Sequence, residues 1–405
     1  MTSRRTGCML LASTRMASWT GVIARISLCH KPFLLQTLET TQTFSSPAGV
    51  RLSVSSSLSC AFRNIHSLPK VTSCGRLYST TSATWRPLSV RGQSNPHFTQ
   101  GFGDHNGLVG ALDDDGQVYL IASDTTELVL SSKLHSPKVM HIAVTGNGRL
   151  AAAVCQAAQA STPYSNHVAE FASIRHFKQW LTFEPAHNHD EKHHIVPGRV
   201  VQLVANATTF AYLNDNGEVY TWGDARHRSL GRTLMGQEAA GADEPGLVEA
   251  LGGIRIARIS AGGWITTALS DDGVAYAWGM STPGKQERLP CLRDIDTAEV
   301  ALLEILSSDG QSSEPEDVQD IAVGDGHIVL LTSKGEIFTT GDNTNGQLGI
   351  GQDSEFREGW EVVRITPQLG ITAVRAGPRC TFIMGRHGSR VRQPASPTVS
   401  KVNPS

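Results

Sequence analysis

The sequence predicts an all-β protein built as a β-propeller, preceded by a basic extension without a packed core. Three observations carry this reading. A strand–turn–strand pattern recurs with a period near 50 residues, its turns are spelled for tight antiparallel hairpins, and the charge splits the chain into two unlike parts. The 405 residues have a formal net charge of −2. Residues 1–92 hold eleven Lys and Arg against one acid, Glu39, a net of +10; residues 93–405 hold 24 basic against 36 acidic groups, a net of −12. No apolar run reaches the roughly 18 residues that a membrane-spanning helix needs.

Residues 1–92 are rich in Ser and Thr and carry Arg at spaced intervals, among them Arg4, Arg5, Arg15, Arg25, Arg51, Arg63, Arg76, Arg86 and Arg91. Such a segment buries too little apolar surface to offset chain entropy and reads as a disordered leader. Its composition is also that of a mitochondrial transit peptide: Ile23, Ile26 and Leu34 could stripe one helical face, and Arg76–Ser79 is spelled like a matrix-protease site. A plain disordered extension, or a first exon joined in error, is the other reading. Location follows the same fork: cytoplasm or nucleus if the leader carries no address, mitochondrion if it does. Residues 391–405, rich in Pro and Ser, read as a disordered tail. Four of the seven cysteines (Cys8, Cys29, Cys60, Cys74) lie in the leader, and Cys155, Cys291 and Cys380 are widely separated. That usage fits a reducing compartment and argues against a zinc or disulfide framework.

The repeat organises residues 93–390. The segments ALDDDGQVY (Ala111–Tyr119), YLNDNGEVYTWGD (Tyr212–Asp224), ALSDDGVAYAWG (Ala268–Gly279) and LLTSKGEIFTTGD (Leu330–Asp342) each read as an apolar strand, a short polar turn ending in Gly, and a second strand. Gly116, Gly217, Gly273 and Gly335 supply the positive φ such a hairpin needs. Tyr220, Trp222 and Gly223 in one unit recur as Tyr276, Trp278 and Gly279 in the next, and Gly341 keeps the last position. A second register, LVANA (Leu203–Ala207), ISAGG (Ile259–Gly263), IAVGD (Ile321–Asp325) and VRAGP (Val374–Pro378), places Asn206, Gly262, Gly324 and Gly377 eleven residues before a hairpin glycine, the last being Gly388. The hairpin glycines from Gly217 onward are spaced 56, 62 and 53 residues apart, and Gly148 is expected to mark a further unit between Gly116 and Gly217. Short antiparallel strands at this period indicate propeller blades.

A third element is the loop GDNTNGQLG (Gly341–Gly349), matched in register by GDARHRSLG (Gly223–Gly231). With His327 three residues after Gly324, and with Asn343, Gly346, Gln347, Leu348 and Gly349 in the loop, the chain resembles the repeat family named after the regulator of chromosome condensation. The resemblance implies a seven-bladed propeller. Six hairpin anchors are visible, so the expectation is six to seven blades, with the unrecognised blade at the N-terminal side. Residues 298–317, acidic and Ser-rich, read as a mobile loop. Residues 155–198 contain Phe171, Ile174, Phe177, Trp180 and Leu181, which suit either a short amphipathic helix or an outer strand.

Chemistry-bearing patterns are few. Gly146, Gly148 and Ala151 spell a G-x-G-x-x-A, with Glu170 placed as a ribose-binding acid would be. Propeller hairpins flank it on both sides and no βαβ units follow, so a hairpin turn is the stronger reading. His187, His189, His193 and His194 depart from the zincin pattern, which needs Glu directly after the first His where Asp190 follows His189, and read as a solvated loop. His327, Trp222 and Trp278 read as packing residues, and no catalytic, cofactor-binding or metal-ligating set emerges. An acidic body disfavours nucleic-acid binding by its bulk surface. The expected function is a monomeric, non-enzymatic protein-interaction scaffold without cofactor. The resemblance implies, as alternatives for the partner, a small GTPase served by nucleotide exchange or a tubulin-related factor; a dinucleotide-dependent enzyme is the remaining alternative.

Overall fold

Every recognised repeat folds as an antiparallel sheet, and seven sheets are present among the described residues. The computed structural model describes residues 89–91, 96–104, 107–122, 127–131, 137–155, 166–182, 191–236, 239–280, 289–293, 300–305, 315–351, 354–364 and 369–387, and backbone strands at Arg15–Met16, Trp19–Ile26, Lys70–Val71, Leu77–Thr81 and Thr84–Pro87. The first blade comprises Phe98–Asp104, Gly107–Asp113, Val118–Ile121 and Leu128–Leu130. The second comprises Lys138–Val144, Leu150–Cys155, Asn166–Phe171 and Glu191–Ile195. Val200–Ala205, Thr209–Asn214, Val219–Gly223 and Gly246–Leu247 build the third. Ile256–Gly262, Ile265–Ser270, Ala275–Gly279 and Ala301–Leu303 build the fourth. Val318–Val323, His327–Thr332, Ile337–Asp342 and Phe356–Val362 build the fifth.

The two remaining sheets draw on the segment read as a disordered leader, and correct that reading in part. Leu369–Gly377 and Cys380–His387 pair with each other, and Trp19–Ile26 pairs antiparallel with Cys380–His387 to supply the third strand of the sixth blade. Lys70–Val71, Leu77–Thr81 and Thr84–Pro87 form a three-stranded sheet whose first strand lies beside Phe98–Asp104. This is the blade that carried no hairpin signature. The rest of residues 1–88, Gly388 and the 391–405 tail lie outside the described residues.

The core lies between the sheets. Phe102 and Leu112 of the first blade meet Ile142 and Phe171 of the second. Val168 meets Leu203, Phe210 and Tyr212 of the third, and Leu213 meets Ile259 of the fourth. Leu269 meets Ile321 and Leu330 of the fifth, and Leu331 meets Val374 and Ile383 of the sixth. The hairpin glycines serve this seam twice. At Gly116, Gly217, Gly273 and Gly335 φ is +78, +85, +88 and +86°. The carbonyls of Gly116, Gly217 and Gly273 accept the amides of Val139, Ile256 and Val318 of the following blade at 3.1, 2.9 and 2.8 Å. Deeper in the seam, the Gln202 amide clamps Ile259, with Nε2 donating to its carbonyl at 2.6 Å and Oε1 accepting its N–H at 2.9 Å. Gln100 clamps Ile142 in the same manner, and Asp320 accepts the N–H of Val374 at 3.0 Å.

Two expectations are corrected and one open alternative is decided. Gly148 marks a blade, but its turn joins the first and second strands of the second blade rather than the second and third. The acidic 298–317 segment contains Ala301–Leu303, the outer strand of the fourth blade; Leu303 and Ile305 are buried, and Glu316 accepts from Lys334 at 2.8 Å. Residues 306–314 lie outside the described residues. Between Phe171 and the outer strand of the second blade the chain forms a helix, α1 (Ile174–Thr182), capped by Ser173, with Phe177 wedged against Phe102 and Phe171 at 6.0 and 5.3 Å between ring centroids.

Two glycines separate backbone strain from close approach. A Cβ on Gly324 would lie 2.0 Å from His327 Cε1 and 2.5 Å from the Gly377 carbonyl oxygen, whereas one on Gly335 meets nothing within 4 Å. Gly335→Ala therefore costs about 1 kcal/mol, from its positive φ alone. Gly324→Ala is expected to cost more, on the order of 3 kcal/mol, because the seam must open. Urea denaturation of the two variants checks the order.

Candidate functional site

The sequence candidates separate cleanly in space. Gly146 and Gly148 lie in a tight turn, with Thr145 N–H donating to Arg149 O at 2.9 Å and the Gly146 and Asn147 amides donating to the Asn206 and Ala207 carbonyls of the third blade. Those amides are consumed by the seam, so the dinucleotide reading is set aside. Trp222 and Trp278 are fully buried and each indole N–H reaches back to the preceding blade, to Glu170 Oε2 at 2.8 Å and to the Ser229 carbonyl at 3.2 Å. His327 is buried against Thr381, its Nε2 3.3 Å from the hydroxyl, and burial pushes its pKa down to about 4. It packs under Gly324. Tyr212 and Tyr220 stack at 4.9 Å.

In the Gly341–Gly349 loop, Asn343 donates to the carbonyls of Gly351 and Ser354 at 2.8 and 3.0 Å and accepts the Leu348 amide at 3.2 Å. The Gln347 carbonyl receives the Thr381 hydroxyl at 2.7 Å, tying this loop to the next blade. His187 and His189 lie outside the described residues, but His193 and His194 stand on the outer strand of the second blade, and His194 is buried. That corrects their reading as a solvated loop. No group of metal-ligating side chains occurs among the described residues.

Because strands alternate in direction, the connections between third and fourth strands leave each blade at the same end as the first turn. Residues 224–245, the connection of the third blade, form the most distinctive of them. Asp224 accepts the Arg226 amide at 2.9 Å and its guanidinium at 2.8 Å, and that cation holds the Asp224 carboxyl below the usual carboxylate range. His227 and Arg228 follow with φ of +64 and +57°. In the register of the fifth-blade loop Arg228 occupies the place of Gly346, where φ is +72°. The backbone shape is kept although the residue that permits it is gone, and such strain persists only where the surroundings impose it. The His227 ring stands edge-on to Trp264 of the fourth blade, 4.6 Å between centroids.

Beyond Gly231 the chain is pinned from inside. The buried Arg232 guanidinium donates to the carbonyls of Thr221, Ala240, Gly241 and Glu244 at 3.1, 2.7, 2.8 and 2.9 Å, drawing both ends of the excursion together. The tip that it presents is apolar: Leu234 is 40% and Met235 88% exposed. The far end is tied to the second blade, where Lys192 Nζ meets Asp243 Oδ2 at 2.8 Å and Glu244 Oε1 at 2.9 Å, and His194 meets Glu244. Sequence reading missed Arg232, Leu234 and Met235; the available signal was Arg228 at a glycine position.

Glu170 anchors the far side of this tie. It is buried, ion-paired with Arg149 and bonded by His194 and Trp222. Burial alone would raise its pKa, but the hydrogen bonds from His194, Arg149 and Trp222 outweigh it and hold the value at about 2. A depressed carboxylate contributes stability that is present above its ordinary pKa and lost as pH falls toward the folded value. Between about pH 5 and pH 2 the native chain should therefore lose about 3 kcal/mol more than Glu170→Gln, measured by urea unfolding at fixed pH values. Arg228→Gly is expected to raise stability by about 0.5–1 kcal/mol, relief of left-handed strain outweighing the added freedom of the unfolded chain. Thermal unfolding reads the sign.

Residues 216–269 and 318–347 match the family described as Regulator of chromosome condensation (RCC1) repeat. The chain is 30% identical over 213 residues to RCC1 domain-containing protein 1 of Mus musculus, covering 46% of this chain and 55% of that protein, so it spans about half the length of that relative. It is 30% identical over 167 residues to the probable E3 ubiquitin-protein ligase HERC6 of Homo sapiens, covering 41% of this chain and 15% of that one. The crystal structure of Prp20p from Saccharomyces cerevisiae, studied for its binding properties to Gsp1p and histones, superposes with a TM-score of 0.54 at 12% identity, over 80% of this chain and 82% of that one. At that identity the likeness is one of fold. Both matched segments fall within blades, 216–269 holding Gly217 and Trp222 and 318–347 holding Gly335, so the chain carries repeats similar to those of the RCC1 repeat family.

Proposed function

We propose that the propeller is a protein-interaction scaffold whose docking element is the 224–245 connection of the third blade. The observation that supports this is the joining of an exposed Leu234–Met235 tip to a neck fixed by buried Arg232. Exposed apolar side chains held on a rigid support lose little freedom on binding, and Met and Arg are favoured at interface centres. The strained Arg226–Arg228 stretch beside it displays Arg226 to solvent and adds cationic character on an otherwise acidic body. The −12 body repels polyanions, which favours a protein surface over nucleic acid.

A photo-crosslinking side chain placed at Met235 should give a discrete heavier adduct in cells, whereas one at the half-exposed Leu302, on the outer strand of the fourth blade, should not. The pair Leu234→Ser and Met235→Ser should weaken capture of the crosslinked partner by about tenfold or more, as loss of an interface anchor does. Equal adducts at both positions, or none at Met235, would sink the reading. Nucleotide exchange is the finer form of the same proposal. It stands if the native chain accelerates nucleotide release from a small GTPase and the double variant does not.

A further inference from the structure

His194 lies on the outer strand of the second blade with its side chain wholly buried. Its Nε2 is 3.2 Å from Glu170 Oε2 and its Nδ1 is 3.0 Å from Glu244 Oε2. An ionised carboxylate only accepts hydrogen bonds, and a neutral imidazole has one N–H to give. Both carboxyls are held in their ionised form: Glu170 by the bonds already described, Glu244 by hydrogen bonds from Lys192 and then from His194, which outweigh its partial burial. Two acceptors facing two ring nitrogens therefore require the imidazolium.

The charges packed around the ring agree. The second blade contributes Glu170, Arg149 and Lys192, the third-blade connection contributes Asp243 and Glu244, and the third blade closes the far side with Trp222, whose ring centroid is 5.7 Å away. The nearest other titratable side chains on this strand, Glu191 and His193, pair with each other at 3.2 Å, and His193 faces His167. Three carboxylates thus surround His194, faced by Arg149 and Lys192 and, through the Glu244 carbonyl, by Arg232. Glu170 has Arg149 and Trp222 as further partners and is buried, whereas Glu244 is about half exposed.

We infer that His194 is a proton-operated staple: as the imidazolium it straps Glu244, and with it the end of the 224–245 docking connection, to the second blade, and on losing its proton it releases that strap. Release follows because a neutral ring must turn a lone pair toward one carboxylate, and Glu244 is the one able to move into water. The inference rests on the reading of 224–245 as the docking element for its functional meaning, not for its geometry. It makes partner binding pH-sensitive through the mobility of the connection, with Lys192 and Arg232 keeping the remainder in place.

The test uses the full chain. Ring-nitrogen NMR, with the His194 signals assigned by their loss in His194→Gln, should show both nitrogens protonated at about pH 6. Hydrogen exchange over residues 239–246, corrected for intrinsic rates and referenced to the Ile265–Ser270 strand, should rise roughly tenfold between about pH 6 and pH 9. Glu244→Gln, whose amide can accept from or donate to either ring form, should fold and abolish the rise. A singly protonated His194 at the lower pH, or an unchanged pH response in Glu244→Gln, overturns the staple. Crosslinking at Met235 reports on docking alone, so a staple without a partner and a partner without a staple are separate outcomes.

Discussion

A four-stranded sheet can bury its faces only against another sheet, and the large apolar clusters of this protein are each shared between adjacent blades. The seam between neighbours is thus the unit of stability, and its close approach dictates the sequence. The hairpin glycine carbonyls receive the incoming strand of the next blade, and Gly262 and Gly324 sit where a Cβ would strike a neighbouring backbone at 2.5 Å. Gln100, Gln202 and Asp320 close the same gap with side-chain bonds to the next inner strand. Energy that depends on nearest neighbours is characteristic of repeat proteins, and a ring needs every seam.

The seams are not equivalent. Between the third and fourth blades Trp278 gives its N–H to a backbone carbonyl, which is neutral and indifferent to pH. Between the second and third, the matching Trp222 gives its N–H to Glu170, and a run of charges from Arg149 to Asp243 follows. Buried ion pairs offset their desolvation only when every group is satisfied, so this seam is not the more stable solution; apolar packing would serve as well. What the charges add is responsiveness, because removing one proton unbalances the set.

The sequence was most legible where backbone conformation restricts the choice of residue. A hairpin at positive φ admits few residues, so Gly116, Gly217, Gly273 and Gly335 could be read as blade markers one by one. Gly148 adopts φ of +92° in the same kind of turn but at a different connection, because turn chemistry records local geometry and not position within a blade. The strand at Trp19–Ile26 was illegible, since a strand completed by a partner hundreds of residues away needs no local signature. His194 was misread for a related reason. Its run of charged neighbours looks solvated in sequence, and only the third blade folded over it makes the site buried.

Comparison of two equivalent loops shows how the third-blade connection differs from that of the fifth. In the fifth, Asn343 satisfies the loop's own carbonyls and Gly346 and Gly349 supply the left-handed turns, so the loop is held chiefly from within, with Thr381 of the next blade on the Gln347 carbonyl. In the third, Ala225 stands at the Asn position and Arg228 at the first glycine, so the loop has lost both its internal hub and its free turn. Arg232 takes over the hub from below, and Lys192 and His194 hold the end from the neighbouring blade. A loop that satisfies itself has one state. One held by groups outside it can be released by changing those groups, among them His194 with a carboxylate on each ring nitrogen.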